Sequence, residues 1–220
     1  AYDFSKYFVL YKVFTPDIKD ALAIGGGSYS VPKALLEELP DVSVDVAEIE
    51  PSMFELAKKY FRLKENPRLS IYHEDGRVHL NRTNKKYDAI FGDAFSSRYS
   101  IPYQLTTKEV VQKKFNILND DGAVILNIIS SVEGERGQFL RAEYATYKSV
   151  FPQVYLFPLF KPEDSKKMQN IILVALKSNE VPAFQSADAE INGFLEHLWK
   201  GEVATDMPIL TDDFAPVDYY

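Results

Sequence analysis

Short apolar runs alternate along the chain with longer stretches whose apolar positions recur every three or four residues. The runs at residues 21–24 ("ALAI"), 42–49 ("VSVDVAEI"), 69–72 ("LSIY"), 87–95 ("YDAIFGDAF") and 123–129 ("AVILNII") predict five strands. Helical spacing predicts helices over 31–39, where Pro32 falls in the first turn, and over 51–63, where Phe54, Ala57 and Phe61 share one side. It also predicts helices over 108–118 and over 139–151, the latter with Leu140, Tyr144, Tyr147 and Phe151 on one side. A short helix is expected from about Val78. Ser52 with Glu55 and Thr106 with Glu109 read as capping pairs, and Asp121-Gly122 reads as the end of the helix over 108–118.

Two further apolar runs, 154–160 and 171–176, flank the polar stretch "KPEDSKKMQN" and can form a hairpin. An amphipathic helix over 189–200 and the tail "LTDDFAPVDYY" complete the chain. Strands and helices in alternation, with continuously apolar central strands, imply an α/β fold: a doubly wound, mostly parallel sheet covered on both sides, here with an antiparallel edge hairpin. Residues 1–180 are expected to form a nucleoside-binding Rossmann domain, and residues 181–220 a helix and tail packed on that same domain. Neither an internal repeat nor a low-complexity linker interrupts the pattern.

Composition narrows the chemistry. The 220 residues are 46% hydrophobic and carry a formal net charge of −7, which argues against a sequence-independent grip on nucleic acid and suits a cationic small substrate. With no cysteine there is no disulfide, no thiolate nucleophile and no cysteine zinc site, and a cytoplasmic location is expected. Apolar runs all stop well short of the roughly 18 residues of a membrane span, so this chain is read as soluble. His73, His79 and His197 lack ligand spacing, so no metal is expected. "TDDFAPVD" lacks the order of a calcium loop and reads as a tail packing near the site.

In a doubly wound sheet the ligand lies beyond the carboxyl ends of the strands. Those ends carry Gly25, Gly26, Gly27 and Ser28 after the first strand, Glu48 and Glu50 after the second, Glu74 and Asp75 after the third, and Asp93 after the fourth. Such an acidic rim suits hydroxyls, amines and a positive centre, and suits a pyrophosphate poorly. The glycine turn also fits a dinucleotide fingerprint badly, because G-x-G-x-x-G places Ser30 where the third glycine belongs. A carboxylate at the end of the second strand can accept both hydroxyls of a ribose, a role for which Glu48 and Glu50 compete. Asp93 ends an apolar strand, where a carboxylate more often faces a pocket than a core.

"IGGGSYS", "AEIEP", "HEDGR", "DAIFGDAF", "IPYQLTTKEV", "NDDGAVILNI" and "LTDDFAPVD", in this order, resemble the spermidine synthase-like family. Its bacterial branch includes domains fused to membrane segments, so a membrane-anchored parent protein is an expectation, as is a homodimer. The resemblance implies a transferase on a class I S-adenosylmethionine-type Rossmann fold. The implied co-substrate is S-adenosylmethionine or its decarboxylated form, without a metal. Glu48 would bind the ribose, Asp75 with Gly76 the adenine side, and Gly25–Gly27 with Ser28 the region near the sulfonium. Asp93 would be catalytic and face the acceptor amine, with Ser96, Tyr103 and Gln104 on the substrate side.

Three departures qualify this match. Ser28 stands where the family's glycine turn has an aspartate that holds an aminopropyl amine, and Ser96 stands at the second aspartate of its D-S-S-D-P pattern. The family's N-terminal β-hairpin region is also absent from these residues. Methyl transfer to a small amine-containing acceptor is therefore favoured over aminopropyl transfer of the polyamine type, and a non-catalytic nucleoside-binding domain is the alternative from another class. Tyr2, Tyr7, Tyr99 and Tyr103 are candidates for an aromatic wall around the amine.

Overall fold

A computed structural model describes residues 4–95, 101–160 and 164–220. Its seven strands are β1 (Asp20–Ile24), β2 (Ser43–Ala47), β3 (Leu69–Tyr72), β4 (Tyr87–Gly92), β5 (Leu118–Ser130), β6 (Gln153–Pro158) and β7 (Gln169–Leu176). They form one sheet in the order β3-β2-β1-β4-β5-β7-β6. The first five strands are mutually parallel, and β7 runs antiparallel between β5 and β6. Burial explains this order: β1, β2 and β4 are buried along nearly their whole length and sit centrally, whereas every second residue of edge strand β3 is exposed. The last two strands make the expected antiparallel pair, with the later strand placed inside.

Successive strand side chains enter opposite cores, as the two-residue period requires. Ala21 and Ala23 join the core formed with the N-terminal segment Phe4–Leu10, α1 (Tyr11–Phe14), α2 (Ser30–Glu38), α3 (Ser52–Tyr60) and α7 (Ala189–Leu195). Leu22 and Ile24 join the other, formed with α4 (Gly76–Arg82), α5 (Lys108–Ile117) and α6 (Gln138–Lys148). In the tail, Leu210 and Val217 are buried in this second core, and the Leu210 carbonyl accepts from Lys108 N–H at the start of α5. Among the described residues no helix is long and apolar enough to cross a membrane.

Several local expectations are corrected. Ser52 does not cap α3; its N–H and hydroxyl both donate to the Glu50 side chain, so the acidic residue ahead of the helix takes the capping role. Thr106 is likewise displaced, because the N-cap of α5 is Thr107, whose hydroxyl donates to Asp212, while Glu109 accepts from Asp212 N–H. Helix α5 ends at Ile117, ahead of Asp121-Gly122, because the backbone already turns extended at Leu118 to begin β5. The short helix expected from about Val78 is present and begins two residues earlier, at Gly76, capped by Asp75. Helix α7 is also shorter than its apolar pattern, ending at Leu195.

Lys114 occupies the buried stripe of α5 with Val110, Val111 and Ile117. Its ammonium donates to Tyr147 at 2.7 Å, and burial pushes it down to about 8. Burial pushes the neighbouring Glu143 carboxyl up to about 8. Each group thus moves toward its neutral form inside the second core.

Candidate active site

The turn after β1 is shaped by two glycines in the left-handed region, Gly25 at φ 89° and Gly27 at φ 50°. A Cβ on Gly25 would stand 2.8 Å from the Asp93 carbonyl oxygen, so the turn and the end of β4 touch backbone to backbone. Gly26 N–H and Gly27 N–H donate to Glu48 Oε2 at 2.6 and 3.2 Å, and Glu50 N–H donates to Glu48 Oε1 at 2.8 Å. Glu48 is thereby held at the end of β2 against the glycine turn. Geometry thus separates the two competing glutamates: Glu48 is buried beside the turn, while Glu50 is exposed and engaged with Ser52. The Ser52 hydrogen bonds hold the Glu50 carboxyl below its ordinary range.

Asp75 caps α4, with Oδ1 accepting from Arg77 N–H and Val78 N–H at 2.8 and 3.2 Å. Its other oxygen accepts from Gln104 Nε2 at 3.3 Å. Gly76 follows where a Cβ would meet Ile24 Cγ2 at 2.6 Å, so the helix start can lie against the end of β1 only without a side chain. Asp93 N–H donates to the Ile24 carbonyl, which continues the β1–β4 pairing one step beyond the strand. Its carboxylate Oδ1 accepts from Asn127 Nδ2 at 2.9 Å. Burial raises the Asp93 pKa above the ordinary carboxylate value, and the Asn127 hydrogen bond opposes that rise.

These elements enclose a cavity of about 640 Å³ whose walls include Gly25, Gly27, Glu48, Asp75, Gly76, Asp93, Tyr103 and Gln104. Gly26 and Ser28 line an adjoining cavity of about 200 Å³ that also contains Gly25 and Asp93. Asp93 therefore stands where the two spaces meet. The larger one takes a fourth carboxylate, Asp218, from the tail, and among its described lining residues there is neither Lys nor Arg. Four carboxylates, with no cation among the described lining residues, disfavour a pyrophosphate, whereas the rim can accept hydrogen bonds from hydroxyls and amines.

Other expected residues fall elsewhere. Glu74 turns away to His79 and Arg82, at 2.9 and 3.1 Å. Tyr7 is buried against Phe194, with ring centroids 4.4 Å apart, and is a packing residue. Ser96, Tyr2 and Tyr99 lie outside the described residues. The Ser28 hydroxyl is 2.7 Å from that of Ser30. Sequence reasoning missed Asn127, because an amide inside an otherwise apolar strand gives no periodic signal. Its register beside the end of β4 emerges only once the strands are paired.

Residues 10–183 match the spermine/spermidine synthase domain. A polyamine aminopropyltransferase of Vibrio vulnificus is 30% identical over 224 residues, covering 94% of this chain and 71% of that protein. An N-terminal histidine N-methyltransferase of Emericella nidulans is 31% identical over 170 residues, covering 74% of this chain but only 29% of the relative. Among solved structures, human methyltransferase-like protein 13 in complex with SAH superposes with a TM-score of 0.64 at 23% identity, over 84% of this chain and 82% of that one. That likeness shows a shared fold, in which a mostly parallel sheet ends in antiparallel edge strands. The chain belongs to the spermine/spermidine synthase domain family of transferases.

Proposed function

We propose that the chain binds S-adenosylmethionine in the larger cavity and transfers its methyl group to a small amine-containing acceptor. The observation that carries this reading is the position of Asp93, a half-buried carboxylate shared by the two adjoining cavities. Glu48, next to the glycine turn, takes the ribose hydroxyls, and Asp75 with Gly76 takes the adenine side. The human structural neighbour, described in complex with SAH, and the methyltransferase relative support the co-substrate class.

Bound S-adenosylmethionine supplies a carbon made electrophilic by sulfonium. Asp93 orients the acceptor amine in line with that carbon and accepts its proton as the new C–N bond forms and the C–S bond breaks. The thioether leaves neutral, so no group is needed to protonate it. Tyr103 and Gln104 sit on the wall beside Asp75 and shape access from that side. Incubation with an amine panel and either S-adenosylmethionine or its decarboxylated form, followed by mass spectrometry, tests the reaction: S-adenosylhomocysteine from the intact donor is expected, and methylthioadenosine from the decarboxylated donor instead would assign aminopropyl transfer. The Vibrio vulnificus relative supports that second reading. Neither product would leave a non-catalytic nucleoside-binding domain.

Glu48→Gln is expected to weaken nucleoside binding by about 1–3 kcal/mol, the range for a hydrogen bond to a charged group. The same change weakens the acceptor for Gly26 and Gly27 N–H, so the turn loosens with it. Calorimetry measures the loss, and unchanged affinity would remove Glu48 from the ribose.

Ser28 sets the choice between the two forms of the co-substrate in this reading. Its hydroxyl, in the smaller cavity with Gly25, Gly26 and Asp93, can donate to the carboxylate of intact S-adenosylmethionine. Ser28→Asp would repel that carboxylate and attract the lone ammonium of the decarboxylated form. A shift of about 1–3 kcal/mol toward the decarboxylated ligand is expected, as for like and unlike charges meeting in a partly buried pocket. Titrating both nucleosides against both proteins checks it, and a wild-type preference for the decarboxylated form would reverse the assignment of methyl transfer.

A further inference from the structure

We propose that Asn127 and Asn170 form a positioning relay that carries support from the antiparallel edge of the sheet to the Asp93 carboxylate. This rests on the reading of Asp93 as the group that handles the acceptor amine. Asn127 lies in β5 and is 1% exposed; its Nδ2 donates to Asp93 Oδ1 at 2.9 Å. Its Oδ1 accepts from Asn170 Nδ2, at 3.0 Å, and Asn170 lies in β7. The two strands are paired antiparallel, with Asn170 opposite Ile129, so the amides lie near one another across the ladder.

The direction of these bonds matters more than their number. An amide that turned over at Asn127 would face its oxygen to a carboxylate and its NH₂ to the Asn170 NH₂, pairing acceptor with acceptor and donor with donor. The Asn170 donor therefore keeps the Asn127 donor aimed at Asp93. That donor favours the ionised carboxylate, which is the form that can accept a proton. Glu48, Asp75 and Asp218 share the larger cavity with Asp93, and all three are acidic, so each disfavours a further negative charge. The smaller cavity adds no titratable side chain among its described lining residues. Asn127 is the one described side chain that donates to Asp93, and it counteracts the effect of burial.

The decisive measurement is the titration midpoint of the Asp93 carboxyl by carbon-13 NMR, set beside the pH profile of kcat/KM. Asn127→Leu should raise the midpoint by about one to two pH units, as loss of one hydrogen bond to a charged group predicts. Asn170→Asp is nearly isosteric and sits at a half-buried position. It should raise the midpoint through Asn127, whose NH₂ would turn to the new carboxylate. Asn170→Asp placed in the Asn127→Leu background isolates the relayed part, since only direct charge repulsion then remains. Asn170→Gln, which keeps a donor, should restore much of the wild-type midpoint. Nucleoside affinity should stay within about twofold in all of them, and thermal unfolding verifies that each is folded. Unshifted midpoints in both single variants, or an equal Asn170→Asp shift in the two backgrounds, would overturn the relay. Shifted midpoints with an unmoved rate profile would keep the relay and overturn the role assigned to Asp93.

Discussion

Asp93→Asn is expected to lower turnover about 10²–10⁴-fold, the usual contribution of a positioned general base, while leaving nucleoside affinity nearly unchanged. The amide keeps the size of the side chain and can still accept from Asn127 Nδ2 through its oxygen, so the end of β4 keeps its shape. What it loses is basicity. Single-turnover rates with saturating nucleoside measure the step directly, and a normal rate would leave Asp93 as lining alone. Because burial raises the Asp93 pKa, the wild-type rate should climb with pH across a limb lying above the ordinary carboxylate range. The sign for stability is opposite. A carboxyl whose folded pKa is raised holds its proton more tightly when folded, so its contribution is full below the unfolded pKa and is lost as pH rises through the folded one. The pH range that activates this residue is therefore the range in which it destabilises the fold.

Gly25→Ala is expected to lower stability by about 2–6 kcal/mol and to displace Asp93. Alanine at φ 89° carries backbone strain of about 1–3 kcal/mol, and its methyl would press on the Asp93 carbonyl at 2.8 Å, adding an overpacking penalty of about 1–3 kcal/mol. Neither contact partner is a flexible side chain that can swing aside. Gly27→Ala is the control: φ is again positive, at 50°, but nothing lies within 4 Å of the added Cβ. It should cost only about 1 kcal/mol. Urea denaturation of both variants compares them, and equal losses would mean that the contact with Asp93 is unimportant. A larger fall in turnover for Gly25→Ala than for Gly27→Ala is expected as well, since only the first moves the base.

The sheet was legible wherever a local pattern had one physical meaning. Apolar runs at 21–24 and 87–95 could be buried only as central strands, and the alternation with helices left little choice of architecture. Helix termini were less legible. Ser52 and Glu55 have the spacing of a capping box, yet Glu50 reaches Ser52 first; Thr106 and Glu109 have it too, yet Asp212, far along the chain, takes Thr107 and Glu109. A spacing rule sees neither competitor, Glu50 just before Ser52 or Asp212 far along the chain. For the same reason Glu48 and Glu50 could be told apart only after the glycine turn was in place to donate to one of them. Lys114 sits on an apolar stripe, where its charge argues for solvent and its register argues for the core; register prevails because Tyr147 accepts from its ammonium.

Asp93 is braced through Asn127 by Asn170, and Asn170 belongs to β7, a strand that pairs with β5 on one side and β6 on the other. In folding terms β7 comes late in the chain: during synthesis the parallel strands β1 to β5 can associate before the chain has supplied the segment that completes the sheet. A partly folded chain that had assembled the glycine turn, Glu48 and Asp75 would already offer a nucleoside its cavity while the Asn127 amide beside Asp93 still lacked the Asn170 donor that orients it. Ligand binding could then begin to stabilise the chain ahead of chemistry. The orientation of the proton acceptor's support would then wait for the insertion of one strand.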